Sequence, residues 1–165
     1  MKDARVAALR LLKFKPRSET ELKRRLLEKG FGQGAIEPVM EELKRKGMVD
    51  DVKFSKYFVT QQVLSRPVGQ RLLLNRLRSK GVNPHLAEQA VQAGTEGQDE
   101  FELARALADK RRLSLKALPR ETAQRRLFGY LSRRGFSSEV VWKVIRERNL
   151  KGSDPTGSDP VGFSP

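Results

Sequence analysis

The sequence predicts an all-α fold: three tandem three-helix repeats stacked into an elongated, curved array with no sheet. Three observations carry that expectation. A pattern recurs as Leu22, Leu26, Lys29, Gly30, Phe31, then Leu73, Leu77, Lys80, Gly81, Val82, then Leu127, Leu131, Arg134, Gly135, Phe136. Its glycines lie 51 and then 54 residues apart, a period typical of stacked helical units. Past each glycine the apolar positions agree again: Ile36, Val39 and Met40; Leu86, Ala90 and Val91; Val140, Val141, Val144 and Ile145. No segment sustains the period-two alternation of a strand.

The elements follow in order. Val6, Leu9, Leu12 and Phe14 form a helical stripe over Ala4–Phe14, which Pro16 ends. Ser18-Glu19-Thr20-Glu21 has the form of a capping box, in which Ser18 accepts from the Glu21 amide and Glu21 reaches back. The helix it opens closes at Gly30, a residue suited to the left-handed conformation that ends helices. A third helix runs from about Gln33 to Lys46 and stops at Gly47. Asp50 or Asp51 caps a helix through Phe54, Tyr57, Phe58 and Gln61. Pro67 and Gly69 precede the helix of Leu73 and Leu77, and Asn83-Pro84 supplies cap and first turn for the next. Gly94 and Gly97 mark a softer boundary before helices near Asp99–Arg111, Pro119–Arg134 and Ser137–Arg148. The expected units are residues 1–49, 50–95 and 96–151. Residues 152–165, with a doubled Gly-Ser-Asp-Pro, read as a disordered tail.

Charge narrows the function. Thirty-four Lys and Arg stand against twenty Asp and Glu in 165 residues, a net +14. Such a balance suits a polyanion, nucleic acid above all, or an acidic protein surface. The excess is uneven: +5 over residues 1–50, +2 over 51–100 and +9 over 101–151. Basic residues recur on the middle helix of every unit. The candidate contacts are Arg24, Arg25 and Lys29; Arg76 and Lys80; and Arg125, Arg126, Arg133 and Arg134. For any one of them a solvated face is the simpler reading, and Lys29, Lys80 and Arg134 suit the helix dipole as last-turn cations. Adjacent helical residues diverge by about 100°, so Arg125 and Arg126 are not expected to face one partner. Arg126 with Arg133 or Arg134 is the better pair.

The chain contains no cysteine, which excludes disulfides, thiol catalysis and thiolate-bound metals. His85 is the lone histidine and sits beside a first-turn proline. Asp50-Asp51 is explained by capping, and Glu41-Glu42 by an exposed face rich in Lys44, Arg45 and Lys46. No phosphate-binding glycine loop or zinc-ligand spacing occurs. The expectation is a protein without catalysis, cofactor or metal. The charged N-terminal segment lacks the apolar run of a signal peptide or membrane span, which points to the cytoplasm.

The composite pattern resembles the RecX family, small bacterial regulators of the RecA recombinase. The resemblance lies in Ala8-Leu9-Arg10-Leu11-Leu12, Arg17-Ser18-Glu19 with Glu21-Leu22, and Leu26 with Lys29-Gly30-Phe31. It continues through Gly47-Met48-Val49-Asp50-Asp51 with Phe54-Ser55, then Leu77 with Lys80-Gly81-Val82. It closes on Leu131 with Arg133-Arg134-Gly135-Phe136, so that it covers nearly all of residues 4–148. Ser55 departs from the usual alanine and Pro16 from a basic or polar residue.

The resemblance implies tandem three-helix repeats and a monomer that binds in the groove of the RecA–DNA filament. It also implies contact with single- and double-stranded DNA, and restraint of strand exchange, ATP hydrolysis and SOS co-protease activity. A rod touching several protomers would gain effective concentration from each contact. The alternative is a helical DNA-binding protein that acts without RecA. Against it, Glu37, Glu41 and Glu42, or Glu88 and Gln89, occupy the helices that would read a groove. A protein scaffold whose charge serves solubility is a third reading.

Overall fold

The computed structural model describes residues 3–150, and these contain ten helices and no strand. They are α1 (Ala4–Phe14), α2 (Glu19–Glu28), α3 (Gln33–Arg45), α4 (Asp51–Ser65) and α5 (Gln70–Ser79). After these come α6 (Pro84–Gly94), α7 (Glu100–Lys110), α8 (Arg112–Lys116), α9 (Arg120–Arg133) and α10 (Ser138–Leu150). The expectation of a disordered tail concerns residues outside those described.

Most starts are set by short polar side chains. Asp3, Ser18, Asp50, Asn83 and Asp99 each accept from an amide of the first turn. Ser137 does the same for Val140 at 3.2 Å. Two features depart from the sequence reading. Helix α8 was not foreseen, because five residues are too few to display a helical period. Glu21 also does not reach back to close a capping box. Ser18 does accept from its amide, but the carboxylate turns to Arg17 at 2.5 Å and Lys80 at 3.0 Å.

The close helix packing falls within three triplets, α1–α3, α4–α6, and α7 with α9 and α10. Each triplet has its own apolar core. The first gathers Ala8, Leu22, Leu26, Ile36, Met40, Leu43 and Val49. The second centres on Phe54, Val59, Leu73, Leu77, Ala87 and Val91, and the third on Leu107, Leu127, Leu131, Phe136, Val141 and Val144. The recurring leucines of α2, α5 and α9 are therefore core residues, each contributing about 1.5–3 kcal/mol through burial.

The triplets join through the recurring basic-Gly turn. The Ser18 hydroxyl donates to the Lys80 carbonyl, and the Gly69 amide donates to the Arg134 carbonyl at 2.8 Å. Gly81 and Gly135 both have positive φ, +75° and +86°. A side chain at either would also overlap the preceding triplet, at Thr20 and at Leu72 respectively. A second bond recurs at both joints. The first amide of α2, at Glu19, donates to Asp51 at 2.8 Å, and that of α5, at Gln70, donates to Glu100 at 2.6 Å. Asp50 supplies the α4 cap, while Asp51 reaches across to the neighbouring unit. Burial, with Glu19 and Asp50 close by, pushes the Asp51 carboxyl above its ordinary value.

Candidate nucleic-acid interface

Four of the fourteen basic residues of the third unit border one recess. Helix α9 runs Arg125-Arg126-Leu127-Phe128-Gly129-Tyr130-Leu131-Ser132-Arg133, and its leucines face the core. Arg125, Gly129 and Arg133 lie four apart on one row; Arg126, Tyr130 and Arg134 lie four apart on the next. The short α8 contributes Ser114 and Leu115 opposite these rows. Between them is a recess of about 430 Å³ lined by Arg111, Ser114, Leu115, Arg125, Arg126, Tyr130 and Arg133.

Close geometry explains how so many cations share it. The Arg111 guanidinium lies 4.4 Å from the Tyr130 ring centroid, and that of Arg134 lies 5.4 Å away. The aromatic face attracts each cation and holds its planar fork in place. Gly129 lacks the side chain that would press on the Arg133 guanidinium, so Arg133 can fold along the helix. Arg111, Arg125, Arg126 and Arg133 are exposed. Among the described residues, none of the four has a carboxylate in ion-pair range. A cluster of unneutralised guanidinium forks around an aromatic ring can hold consecutive phosphates, each fork matching two phosphate oxygens.

This corrects one expectation from the sequence. Arg125 and Arg126 diverge on the helix, yet both border the same recess because it spans two rows. Arg133 joins them, while Arg134 sits half-buried beside Tyr130, with its carbonyl engaged by Gly69.

The other candidates are not gathered with them. Arg24 and Arg25 pair with Glu28 at 3.7 and 3.2 Å on the exposed face of α2. Arg76 donates to the Gln62 side chain and is half-buried. Lys80 belongs to the first joint, 3.0 Å from Glu21 and 5.7 Å from the Phe58 ring centroid. Lys29 is exposed at the first turn. Two members of the recess, Arg111 and Tyr130, were missed from sequence. The available signal was an aromatic residue set four from Arg126 and three from Arg133 on a basic helix.

Other chemistry has little to build on here. His85 is exposed and meets Gln89 at 3.2 Å. Among the described residues, no group of three His, Asp or Glu could hold a metal ion, and no helix is long and apolar enough to cross a membrane.

Comparison with known proteins gives the family. Residues 4–43 match the first three-helix domain of RecX, and residues 98–145 match its third. The regulatory protein RecX of Pelodictyon phaeoclathratiforme is 34% identical over 147 residues, covering 89% of each chain. The chain belongs to the RecX family of regulatory proteins. That of Amycolatopsis mediterranei is 33% identical, over 88% of this chain and 83% of its own. The fold is similar to the crystal structure of RecX from Lactobacillus salivarius, with a TM-score of 0.73 and 20% identity. That match covers 89% of this chain and 95% of the other. The recess lined by Arg125, Arg126 and Arg133 thus lies within the segment matching the third RecX domain.

Proposed function

We propose that this RecX-family protein binds the RecA–DNA nucleoprotein filament as a cytoplasmic monomer. Binding would restrain filament growth, and with it strand exchange, ATP hydrolysis and SOS co-protease activity. In this reading the third unit holds the phosphate backbone, single- or double-stranded, and the other units lie along neighbouring protomers. The observation that carries it is the recess of Arg111, Arg125, Arg126 and Arg133, which has no acidic counter-charge among the described residues. A basic surface left unneutralised by its own protein suits a polyanion, whereas Arg24 and Arg25 already share Glu28.

The test measures RecA-dependent ATP hydrolysis on single-stranded DNA across a salt series, with DNA binding followed in parallel. The parent chain should lower hydrolysis. Arg125→Gln, Arg126→Gln and Arg133→Gln together should weaken DNA binding about 100- to 500-fold near 0.1 M salt. They should also flatten the log–log salt slope by roughly 2–2.7. The pair Arg24→Gln and Arg25→Gln should change both far less. If the parent left RecA hydrolysis untouched while binding DNA with that slope, the RecA-independent reading would replace this one. An unchanged slope in the triple variant would make the recess a solvated surface only.

A further inference from the structure

The turn after the middle helix is built three times with one set of hydrogen bonds. The amides of Lys29, Gly30 and Phe31 donate to Leu26, Leu27 and Leu26. Those of Lys80, Gly81 and Val82 donate to Leu77, Arg78 and Leu77, and those of Arg134, Gly135 and Phe136 to Leu131, Ser132 and Leu131. The three glycines share φ values of 86°, 75° and 86°. Two of these turns receive the same object, the first turn of a helix. Lys80-Gly81 receives α2 through Ser18 and Glu21, and Arg134-Gly135 receives α5 through Gly69.

The remaining turn is open. A side chain added at Gly30 would meet nothing within 4 Å. Lys29 is exposed, and among the described residues neither its carbonyl nor its ammonium has a hydrogen-bond or ion-pair partner. Beside it lies a recess of about 630 Å³ whose walls carry Val6, Leu11, Phe14 and Phe31 together with the charged Asp3 and Arg10, with Phe14 86% exposed.

We propose that the Lys29-Gly30-Phe31 turn docks the first turn of a helix from a partner protein. The partner helix has a Ser, Thr or Gly cap, an acidic residue three positions later, and an apolar side chain for the recess. The cap donates to the Lys29 carbonyl as Ser18 and Gly69 do at the internal joints, and the acid meets the Lys29 ammonium as Glu21 meets Lys80.

A second copy of this chain does not fit. The middle-helix start left over in the array is that of α9, whose cap is Pro119. Proline has no amide hydrogen and no hydroxyl to give the carbonyl. The next residue, Arg120, would bring a second cation toward Lys29. One bond of the internal joints is also missing at the open turn. Ala4 begins α1 where Asp51 and Glu100 begin α4 and α7. The docked helix therefore keeps an unbridged first amide, and the contact is a reversible one.

The test uses neither DNA nor RecA, so its failure and that of the filament reading are separable. The probe is a peptide of residues 16–29, held helical by a lactam from Arg24→Lys to Glu28 on its exposed face. It is titrated to millimolar concentration into the isotopically labelled full-length chain, with amide shifts recorded. Shifts should appear at Lys29, Gly30 and Phe31 and be absent at Gly81 and Gly135, whose turns are filled. A Glu21→Gln peptide should bind about fivefold more weakly. A full-length chain carrying Lys29→Glu should lose the response, with unchanged ellipticity as the check on folding. Absence of shifts at Gly30, or equal shifts at all three glycines, would overturn the proposal. So would self-association of the parent chain that Lys29→Glu abolishes, which would assign the turn to a second copy.

Discussion

Gly30 and Gly135 form a built-in control for what the joints contribute. Both have φ of +86° and the same turn hydrogen bonds, but only Gly135 lies against a neighbouring unit. In Gly30→Ala the left-handed backbone costs about 1–2 kcal/mol, and reduced freedom of the unfolded chain returns about 0.4–1. A net loss of about 1 kcal/mol is expected. Gly135→Ala carries the same two contributions and adds a methyl group that overlaps the backbone nitrogen and side chain of Leu72. No rotamer change relieves an overlap with backbone. Overpacking of that kind costs about 1–3 kcal/mol, and weakening the Gly69–Arg134 hydrogen bond adds about 1. The expected loss is therefore about 3–5 kcal/mol. Urea denaturation followed by far-ultraviolet ellipticity measures both. Trp142, packed on Phe128 at 5.2 Å between ring centroids, reports the third unit alone. In Gly135→Ala its fluorescence transition should separate from the ellipticity transition, because units in an array are coupled through their interfaces. If the two glycine variants lost stability equally, within about 0.5 kcal/mol, the turn would be only a helix stop and the joint would carry no energy.

Three further outcomes follow from the same geometry. Leu77→Ala, at a side chain with no exposure, should cost about 2–5 kcal/mol in thermal or urea denaturation. At Glu21, burial alone would raise the carboxyl, but the hydrogen bond and charge of Lys80, with Arg17, outweigh it and hold it below its ordinary 4.5. Its stabilisation is thus present above that value and is lost as pH falls through the folded value, so the urea midpoint should drop on acidification and Glu21→Gln should make the drop shallower. Asp51 has the opposite sign, with a folded value raised above 3.8, so Asp51→Asn should be neutral or stabilising at pH 7 and make the acid loss steeper.

What the sequence disclosed was whatever is decided locally. A leucine stripe on α2, α5 or α9 needs only the helical period, and the glycine that follows needs only the left-handed turn, so both were readable in order. Asp50 and Ser18 were readable as caps for the same reason. The second role of each short motif was not readable, because it depends on a neighbour 32 to 62 residues away in the chain. Glu21 looked like half of a capping box but is held by Lys80, and Asp51 looked like a spare cap but bridges to Glu19. The recess was hidden for a related reason: Arg111 reaches it from α7's end, and the five-residue α8, whose Ser114 and Leu115 line it, carries no periodic signal. Lys29, Lys80 and Arg134 make the point most directly. They occupy one position of the repeat, and sequence alone assigns them one meaning. Tertiary placement gives them three: Lys29 stands open, Lys80 is ion-paired within a joint, and Arg134 is stacked beside Tyr130 at the edge of the basic recess. In a repeat array the position in the stack, rather than the motif, decides whether a basic side chain binds its own protein or remains available to another molecule.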